Sequence, residues 1–337
     1  VKLEEGKLKT ELLEKHILGN ITYKRDDVSV RAGIGEDCAV MDFGSHEAVI
    51  SIDPITAAIE NIGELAVHVG CNDIAANGVA PAFIVLTLLL PIGTEIPEID
   101  RIMKQAGGAA ASLGVEIVGG HTEITSSVTQ PIMIMAAIGK RLKPAEVRIA
   151  PKVGDGIYMT KYAAMEGIGI LATDFPQELS AFLSSFEIDE ARKLLNHISV
   201  VREGVIGGEC GISLMHDATE GGIFGALIEM CTVAGTGAEI DVGAIPIPSA
   251  GKKIADALGI EILRMISSGC MLMAVPEELE HMLNSKMKDA GIKFTKIGKL
   301  VEASGVVANR NGVRSIVEPQ ENDELYKAVK KLTEEKI

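Results

Sequence analysis

The sequence contains no tryptophan, and only 3% of its 337 residues are aromatic. Basic residues are also scarce: 32 Lys and Arg stand against 47 Asp and Glu, for a formal net charge of −15. Nucleic-acid binding relies on clustered basic residues and aromatic stacking platforms, so this composition argues against it. An acidic protein that handles phosphates needs metal ions, because a carboxylate and a phosphate oxygen about 4 Å apart repel by roughly 4 kcal/mol at an effective dielectric of 20.

The five cysteines form no CxxC pair and no zinc-ligand spacing. An odd, scattered set predicts reduced thiols in a cytoplasmic protein. The first residues are charged and include no apolar signal region, and no apolar run is long enough to span a bilayer. We therefore expect a soluble, cytoplasmic protein without a membrane partner.

The length and the irregular alternation of strand-like and helix-like segments predict two domains of the α/β (α+β) class. We expect a polar helical arm at residues 1–32, an N-terminal domain at 33–143 and a C-terminal domain at 152–337, joined by a basic, proline-containing linker. The predicted strands are 48–54, 81–90, 115–118, 131–139, 155–160, 212–215, 270–275, 294–300, 304–308 and 313–317. The predicted helices are 96–113, 187–205, 251–266 and 276–290, with two further helices before Gly78 and around 224–231.

The most informative position is Asp73. Apolar residues at Ile62, Leu65, Ala66 and Val69 form the stripe of an amphipathic helix, and one further turn brings that stripe to Asp73. An ionised carboxylate on an inward face is costly unless it is paired, hydrogen-bonded or bound to a cation. The alternative is that Asp73 lies at the edge of the stripe and reaches solvent.

Two further acidic segments precede it. Residues 33–40 (GIGEDCAV) predict a glycine-flanked turn in which Glu36 and Asp37 offer oxygens suited to Mg²⁺. The segment lacks the third glycine of a dinucleotide fingerprint, and no P-loop consensus occurs in the chain, so an ordinary turn remains the alternative. Asp53 is predicted at the end of a strand, where ligand crevices often open; an exposed loop residue is the alternative.

Two polar segments follow. His121 and Glu123 come after paired glycines and could contact a metal or a phosphate, or lie exposed in a loop. Residues 216–222 (HDATEGG) lie between a predicted strand and helix. Asp217 and Glu220 have the spacing of a helix capping box, while the glycine pair could offer backbone N–H groups to a phosphate.

Taken in order, these segments resemble the superfamily of aminoimidazole ribonucleotide synthase, thiamine-monophosphate kinase, selenophosphate synthetase and the hydrogenase maturation factor HypE. The matching pieces are GIGEDCAV, SIDPITAAIENIGELAVHVGCNDIAANGVAP, IVGGHTEIT, HDATEGGIFGALIEM and SSGCMLMAV, which span residues 33–275. Within this PurM-like superfamily the likeness is closest to HypE-like members. The first four pieces are specific in combination.

The resemblance implies two α/β domains, a homodimer formed through a shared β-barrel of N-terminal domains, and ATP bound with Mg²⁺ in a cleft. It also implies that ATP phosphorylates, or is attacked by, an acyl oxygen. The implied ATP-binding residues are Gly33, Gly35, Asn72, Gly119, Gly120, Thr122, Thr219 and Gly221. The implied metal ligands are Asp37, Asp53, Asp73, Glu123, Asp217 and Glu220, with His121 as a further candidate at a position where several relatives have Asp.

One departure concerns the acceptor. HypE carries a cysteine in a short C-terminal tail, where a carbamoyl group is dehydrated to a thiocyanate with ATP, whereas this sequence has no cysteine after Cys270. We therefore expect no carbamoylation of this polypeptide and an external acceptor, with hydrogenase maturation proteins as candidate partners. The alternatives are a small-molecule kinase, a ring-closing synthase of the same superfamily, or a nucleotide-sensing dimer without catalysis.

Overall fold

The computed structural model describes residues 10–16, 18, 26–31, 33–36, 38–55, 60–142, 149–320 and 322–334. Within these residues the first sheet has six strands in the order β1-β2-β3-β6-β4-β5. All its neighbouring strands are antiparallel except β4 and β5, which run parallel. Its strands are β1 (Val28–Val30), β2 (Ala39–Asp42), β3 (His46–Ile55), β4 (Pro81–Pro91), β5 (Glu116–Thr125) and β6 (Ile132–Leu142).

The second sheet described has seven strands in the order β13-β12-β9-β11-β7-β10-β8. Only the β12–β9 pair is parallel. Its strands are β7 (Gly156–Thr160), β8 (Met215–Asp217), β9 (Gly237–Asp241), β10 (Met271–Val275), β11 (Phe294–Val301), β12 (Gly305–Arg310) and β13 (Val313–Ile316).

Helices pack against both sheets, and the predicted α/β class is confirmed. The helices described are α1 (Thr10–His16), α2 (Ile62–Ala76), α3 (Ile96–Leu113), α4 (Met165–Asp174), α5 (Pro176–Leu179), α6 (Ser185–Arg192), α7 (Val201–Glu209), α8 (Gly222–Ala234), α9 (Ser249–Leu258), α10 (Glu277–Asp289) and α11 (Glu324–Glu334). Short 3₁₀ turns occur at Lys193–His197, Val242–Ala244 and Ile262–Arg264. None of the described helices is both long and apolar enough to cross a bilayer.

Several element predictions need correction. The predicted arm extends to residue 32, but Val28–Val30 forms β1 and pairs with β2. The predicted helical stretch 187–205 is divided into α6, a 3₁₀ turn and α7. Between the 3₁₀ turn and α7, the carbonyl of Ile198 and the N–H of Val200 form hydrogen bonds with the Asn72 side chain of α2 instead of with helix backbone. Strand β9 was not predicted, since its Gly- and Ala-containing sequence lacks a strand-like alternation.

Helix α2 is the central element of the molecule. The sequence predicts an amphipathic helix, but all its residues except Glu64 are buried. Helix α2 packs on α3, β3 and β6 of the first half of the chain and on α7 and β8 of the second half, so only Glu64 reaches solvent. A helix that is buried all round needs apolar residues on every side, and each polar residue on it needs a partner.

Two glycines of α7 allow this close packing. A Cβ atom added at Gly204 would lie 2.2 Å from the carbonyl oxygen of Ala75, and one added at Gly208 would lie 2.4 Å from that of Gly78. The two glycines are four residues apart, so they lie on one face of α7. Without side chains there, the backbones of α7 and the C-terminal end of α2 come into contact.

Candidate functional site

The structure brings the carboxylates of Asp53 and Asp73 next to the same hydroxyl group. Residues two apart on a strand share a face, so Ser51 and Asp53 of β3 both face α2. The Ser51 hydroxyl donates a hydrogen bond to Oδ2 of Asp73, and its oxygen lies 3.5 Å from Oδ2 of Asp53. Asp73 is only 6% exposed, so the alternative that it reaches solvent from the edge of a stripe is wrong.

The glycine-flanked turn lies next to this pair and against the second half of the chain. The buried thiol of Cys38 donates to the backbone carbonyl of Asp73 at 3.2 Å. Gly35 has a left-handed φ of +76°, and a Cβ atom there would lie 2.8 Å from Val233 Cγ2 of α8. Close packing on α8 therefore accounts for a glycine at position 35, and Gly33 is half-buried beside it. Asp37, a predicted metal ligand, lies outside the described residues.

Asn72 must be removed from the candidates for ATP binding. Its side chain is fully buried, and both ends of the amide are used by one backbone segment. Nδ2 donates to the carbonyl of Ile198 at 3.0 Å, and Oδ1 accepts from the N–H of Val200 at 2.7 Å. The residue fastens α2 to the segment before α7, and its complete burial keeps the amide out of reach of a nucleotide.

Residues 119–123, which the resemblance implies in ATP and metal binding, are part of a continuous strand. Gly119, Gly120, His121, Thr122 and Glu123 all belong to β5, an edge strand, and are exposed. At Gly120 the strand passes so close to β4 that a Cβ atom would lie 2.0 Å from the backbone oxygen of Leu86, which accounts for a glycine at this position.

His121 and Glu123 lie on the other face of the first sheet from the Asp53–Asp73 pair. In the parallel β4–β5 ladder they pair with the half-buried Thr87 and Leu89, whereas the intervening Leu88 is fully buried under the helices. Asp53 pairs across β3–β6 with Met135, which is 1% exposed and faces the helices. His121 Nε2 and Glu123 Oε2 are 3.6 Å apart and exposed. Within one protomer, therefore, these two residues do not join the Asp53–Asp73 pair.

The second polar segment lies where β8 ends and α8 begins. Asp217 is the last residue of β8 and is 1% exposed, while Thr219 and Glu220 are half-buried. The capping-box alternative is wrong, because the N-cap of α8 is Gly221, with φ +87° and no side-chain cap. The phosphate alternative for the glycine pair also fails: the N–H of Gly221 donates to Asp323 at 2.7 Å, and that of Gly222 donates to the carbonyl of Thr219 at 3.0 Å.

Two buried carboxylates beside this turn escaped the sequence analysis. Burial, with a smaller contribution from the charge of Asp323, raises the pKa of Glu166 on α4 to about 7, against hydrogen bonds from Ser268 that lower it. Burial likewise raises the pKa of Asp323 to about 6, against three backbone hydrogen bonds that favour the charged form. Glu166 stands in the apolar run Ala163–Ile168, the same signal that identified Asp73. Asp323 stands directly before α11 and caps it, which local sequence alone does not distinguish from an ordinary helix start.

A buried ion pair also lies near α2. Lys161 Nζ is 2.7 Å from Glu203 Oε1 and also donates to the carbonyl oxygens of His197 and Ser199. Lys161 has a left-handed φ of +50°, which is uncommon for a residue with a side chain. Burial, with a contribution from the charge of Lys161, lowers the pKa of His68 on α2 to about 4. His68 is therefore neutral at neutral pH.

The donor set fits Mg²⁺ when a nucleotide completes the coordination. Across the described residues, no three His, Cys, Asp or Glu side chains are close enough to hold a metal ion by themselves. Mg²⁺ is commonly held by one or two carboxylates together with substrate phosphates, and Asp53 and Asp73 supply two such carboxylates.

Two family models match the chain, one in each half. The AIR synthase related N-terminal domain matches residues 35–140, and the AIR synthase related C-terminal domain matches residues 152–311. The chain belongs to the AIR synthase related family. The AIR synthase related matches contain the Asp53–Asp73 pair in the first domain and the β8–α8 turn in the second.

Named relatives of this AIR synthase related protein include enzymes. A Methanocaldococcus jannaschii protein described as a hydrogenase expression/formation protein is 29% identical over 287 residues, covering 81% of this chain and 81% of that protein. Selenide, water dikinase of Escherichia coli is 28% identical over 302 residues, covering 80% and 84%. Carbamoyl dehydratase HypE of Rhizobium leguminosarum bv. viciae is 25% identical over 230 residues, covering 67% and 64%.

Solved structures share the PurM-like fold of this AIR synthase related protein. HypE in the HypE–HypF complex aligns with a TM-score of 0.72 and 21% identity, covering 92% of this chain and 99% of that one. HypE in complex with ATP gives a TM-score of 0.67 and 20% identity, covering 96% and 97%. AaThiL complexed with AMPPCP and TMP gives 0.70 and 20%, covering 86% and 91%.

Proposed function

We propose that this protein is a HypE-like, ATP- and Mg²⁺-dependent enzyme that activates an oxygen nucleophile by phosphoryl transfer. The observation that carries the proposal is the Asp53–Asp73 pair, two carboxylates held around the Ser51 hydroxyl at the junction of β3 and α2. The kinship with a selenide, water dikinase and a carbamoyl dehydratase supports an ATP-using enzyme, as does the fold shared with HypE in complex with ATP.

In this proposal Asp53 and Asp73 hold the metal that accompanies the phosphates. Bound Mg²⁺ supplies neutralisation of phosphate charge, which an acidic chain of net charge −15 otherwise repels. Ser51 fixes the Asp73 carboxylate, because its hydroxyl donates to Oδ2. Thr219 and Glu220, half-buried at the start of α8, contact the nucleotide or its metal from the second domain.

The acceptor is external to the described chain. All five thiols are buried. Burial raises the pKa of Cys71 and of Cys270 to about 12 and that of Cys231 to about 11. Because the thiolate is the nucleophile, none of these thiols is suited to accept a carbamoyl group. We propose hydrogenase maturation as the pathway, since the M. jannaschii relative is described as a hydrogenase expression/formation protein.

The burial of the cysteines supports a second candidate, a small-molecule kinase. The burial of the five cysteines is consistent with an acceptor taken from solution, and the AaThiL structure with AMPPCP and TMP has this fold. A nucleotide-sensing dimer without catalysis is the alternative from another class. ADP release that depends on an added acceptor separates both enzymes from the sensor.

We also propose a cytoplasmic homodimer formed through the first sheet, with domains at 33–143 and 152–337. The open face of this sheet is apolar across three adjacent strands. Val85 of β4 and Ile52 of β3 both pair with Ala136 of β6, so the three side chains lie side by side. Ile52 is 64% exposed and Val85 is 39% exposed, and a second copy would cover them.

The proposal is tested by calorimetry with MgATP on the full chain, on the variants Asp53→Asn and Asp73→Asn, and on the double variant. The amide is isosteric with the carboxylate but is a poor Mg²⁺ ligand, so each variant should fold and bind MgATP about tenfold or more weakly. Asp256→Asn, an exposed position on α9, is the matched control and should bind as the wild type does. Unchanged MgATP affinity in the double variant would remove both aspartates from the site.

A further inference from the structure

A segment near the end of the described chain folds back on the second polar segment. We define it as the C-terminal clamp, residues 318–320 and 322–325. Arg264 Nη2 donates to the carbonyl of Glu318 at 2.8 Å, and Gln320 Nε2 donates to the carbonyl of Arg264 at 2.9 Å. Leu325 at the end of the clamp is buried in the main core, as are Ala328 and Leu332 farther along α11, so the clamp is anchored at both of its ends.

Asp323 is the buried centre of this clamp. It is 4% exposed, and its carboxylate accepts three backbone hydrogen bonds. Oδ2 accepts from Gly221 at 2.7 Å, while Oδ1 accepts from Ile266 at 3.0 Å and from Leu325 at 2.8 Å. One side chain therefore joins the N-cap of α8, the segment before β10 and the start of α11.

These bonds complete the support of the Thr219–Gly222 turn. The carbonyl of Thr219 accepts from the N–H of Ser267 at 3.2 Å and from that of Gly222 at 3.0 Å. A Cβ atom at Gly222 would lie 2.6 Å from the carbonyl oxygens of Leu263 and Met265, so the turn is pressed against that segment. The amide of Gly221 is the group that Asp323 satisfies, and Gly221 has a left-handed φ of +87°.

We propose that Asp323 is a positioning residue of the nucleotide site. Its carboxylate holds the Thr219–Gly222 turn and the Ile266–Ser267 segment together, so that Thr219 and Glu220 are presented to bound nucleotide. This inference rests on the proposed function. Asp323 is 4% exposed and already accepts three backbone hydrogen bonds, so in this proposal it acts through the turn and not by contact with the nucleotide.

Replacement of Asp323 by Asn distinguishes the hydrogen bonds made by Oδ1 from the one made by Oδ2. The amide oxygen can still accept from Ile266 and Leu325, whereas the NH₂ group cannot accept from Gly221. Asp155→Asn is the matched control: Asp155 is also buried, at 1% exposure, and its Oδ2 accepts one backbone hydrogen bond, from Lys152 at 2.9 Å. That bond belongs to a turn before β7, outside the site.

The experiment measures MgATP affinity by calorimetry and amide hydrogen exchange on the nucleotide-free full chain. Asp323→Asn should weaken MgATP binding about tenfold and speed exchange at Gly221, with Ile266 less affected. Asp155→Asn should leave both unchanged even where it lowers the melting temperature. If Asp323→Asn does not fold, Asp323→Glu, which keeps the charge and displaces the carboxylate, should weaken MgATP binding in the same direction.

The two proposals fail differently. If Asp323→Asn binds MgATP with the wild-type affinity, the positioning role is wrong and the proposed function is unaffected. A wild-type chain that does not bind MgATP overturns the proposed function, and the positioning role with it, whatever the exchange at Gly221 shows. Unchanged exchange at Gly221 in a binding-competent Asp323→Asn chain also counts against the role.

Discussion

The Ser51 hydroxyl donates a hydrogen bond to Oδ2 of Asp73, joining the inner face of β3 to the central helix α2. Its oxygen is also 3.5 Å from Oδ2 of Asp53. A hydroxyl has one proton to donate, so it can satisfy only one of the two carboxylates at a time. A cation between them would relieve the remaining repulsion, which is why this pair is the centre of the proposed site.

Ser51→Ala should weaken both the fold and the site. It removes one donor from a buried carboxylate, so the free energy of unfolding should fall by about 1–3 kcal/mol, and MgATP affinity should fall as well. Chemical denaturation and calorimetry measure the two effects. Ser112→Ala removes a hydroxyl that bonds only to the carbonyl of Ala109 on α3 and should do neither. Equal stability of the two variants would contradict the assigned role of Ser51.

Asn72→Ala should destabilise the protein by about 2–4 kcal/mol, because it leaves the Ile198 carbonyl and the Val200 N–H without partners in a buried place. Urea denaturation measures this change. The control is Asn284→Ala, which removes an exposed hydrogen bond to the carbonyl of Glu280 and should cost under about 0.5 kcal/mol. A small effect at Asn72 would mean that water replaces its amide.

Gly204→Ala should destabilise the packing of α7 on α2, since the added Cβ would lie 2.2 Å from the Ala75 carbonyl oxygen. The cost expected for such overpacking is about 1–3 kcal/mol. Gly107→Ala on α3 introduces a Cβ into open space and should instead stabilise the helix by about 0.5–1 kcal/mol. Thermal unfolding should therefore move in opposite directions for these two substitutions of the same kind.

Glu166 should make stability fall as the pH rises. Its pKa is about 7 in the folded protein against an ordinary value of 4.5, so the folded state binds the proton more tightly. That contribution is fully present below pH 4.5 and is lost as the pH rises through about 7. Glu166→Gln should remove a dependence on the order of 2 kcal/mol between about pH 5 and pH 8, measured by urea denaturation. Replacing the exposed Glu302 by Gln should not, and a parallel pH dependence in wild type and Glu166→Gln would contradict the assignment.

A charge on the open face of the first sheet should separate the proposed homodimer. Val85→Glu places a carboxylate beside Ile52 and Ala136, where burial against a second copy would leave it unpaired. Sedimentation should then show monomers at micromolar concentration. Ile316→Glu on β13, at a residue that is 69% exposed in the second sheet, should leave the dimer intact. A wild-type chain that sediments as a monomer would refute the dimer itself.

The sequence by itself determined the fold class, the family and most of the elements. Helix 96–113 and the strands around 48–54 and 81–90 are predictable because their hydrophobic periods and breakers are local properties. The position of Asp73 is also readable from local pattern, since a carboxylate in an apolar helix needs a partner. The burial of Asp73 was not predictable from local pattern, because it depends also on the packing of α7 and β8 against α2.

Only the tertiary structure decided which polar groups satisfy one another. Asn72 bonds to a residue 128 positions away, and Gly221 bonds to one 102 positions away. Because of those bonds, Asn72 links α2 to the segment before α7, and the N–H of Gly221 at the start of α8 already has a partner. Sheet register likewise separated His121 and Glu123 from Asp53, because the two faces of a sheet are distinct only once the strands are paired. The sequence determines which side chains can donate or accept hydrogen bonds. Which groups become partners depends on the distances between them in the folded chain.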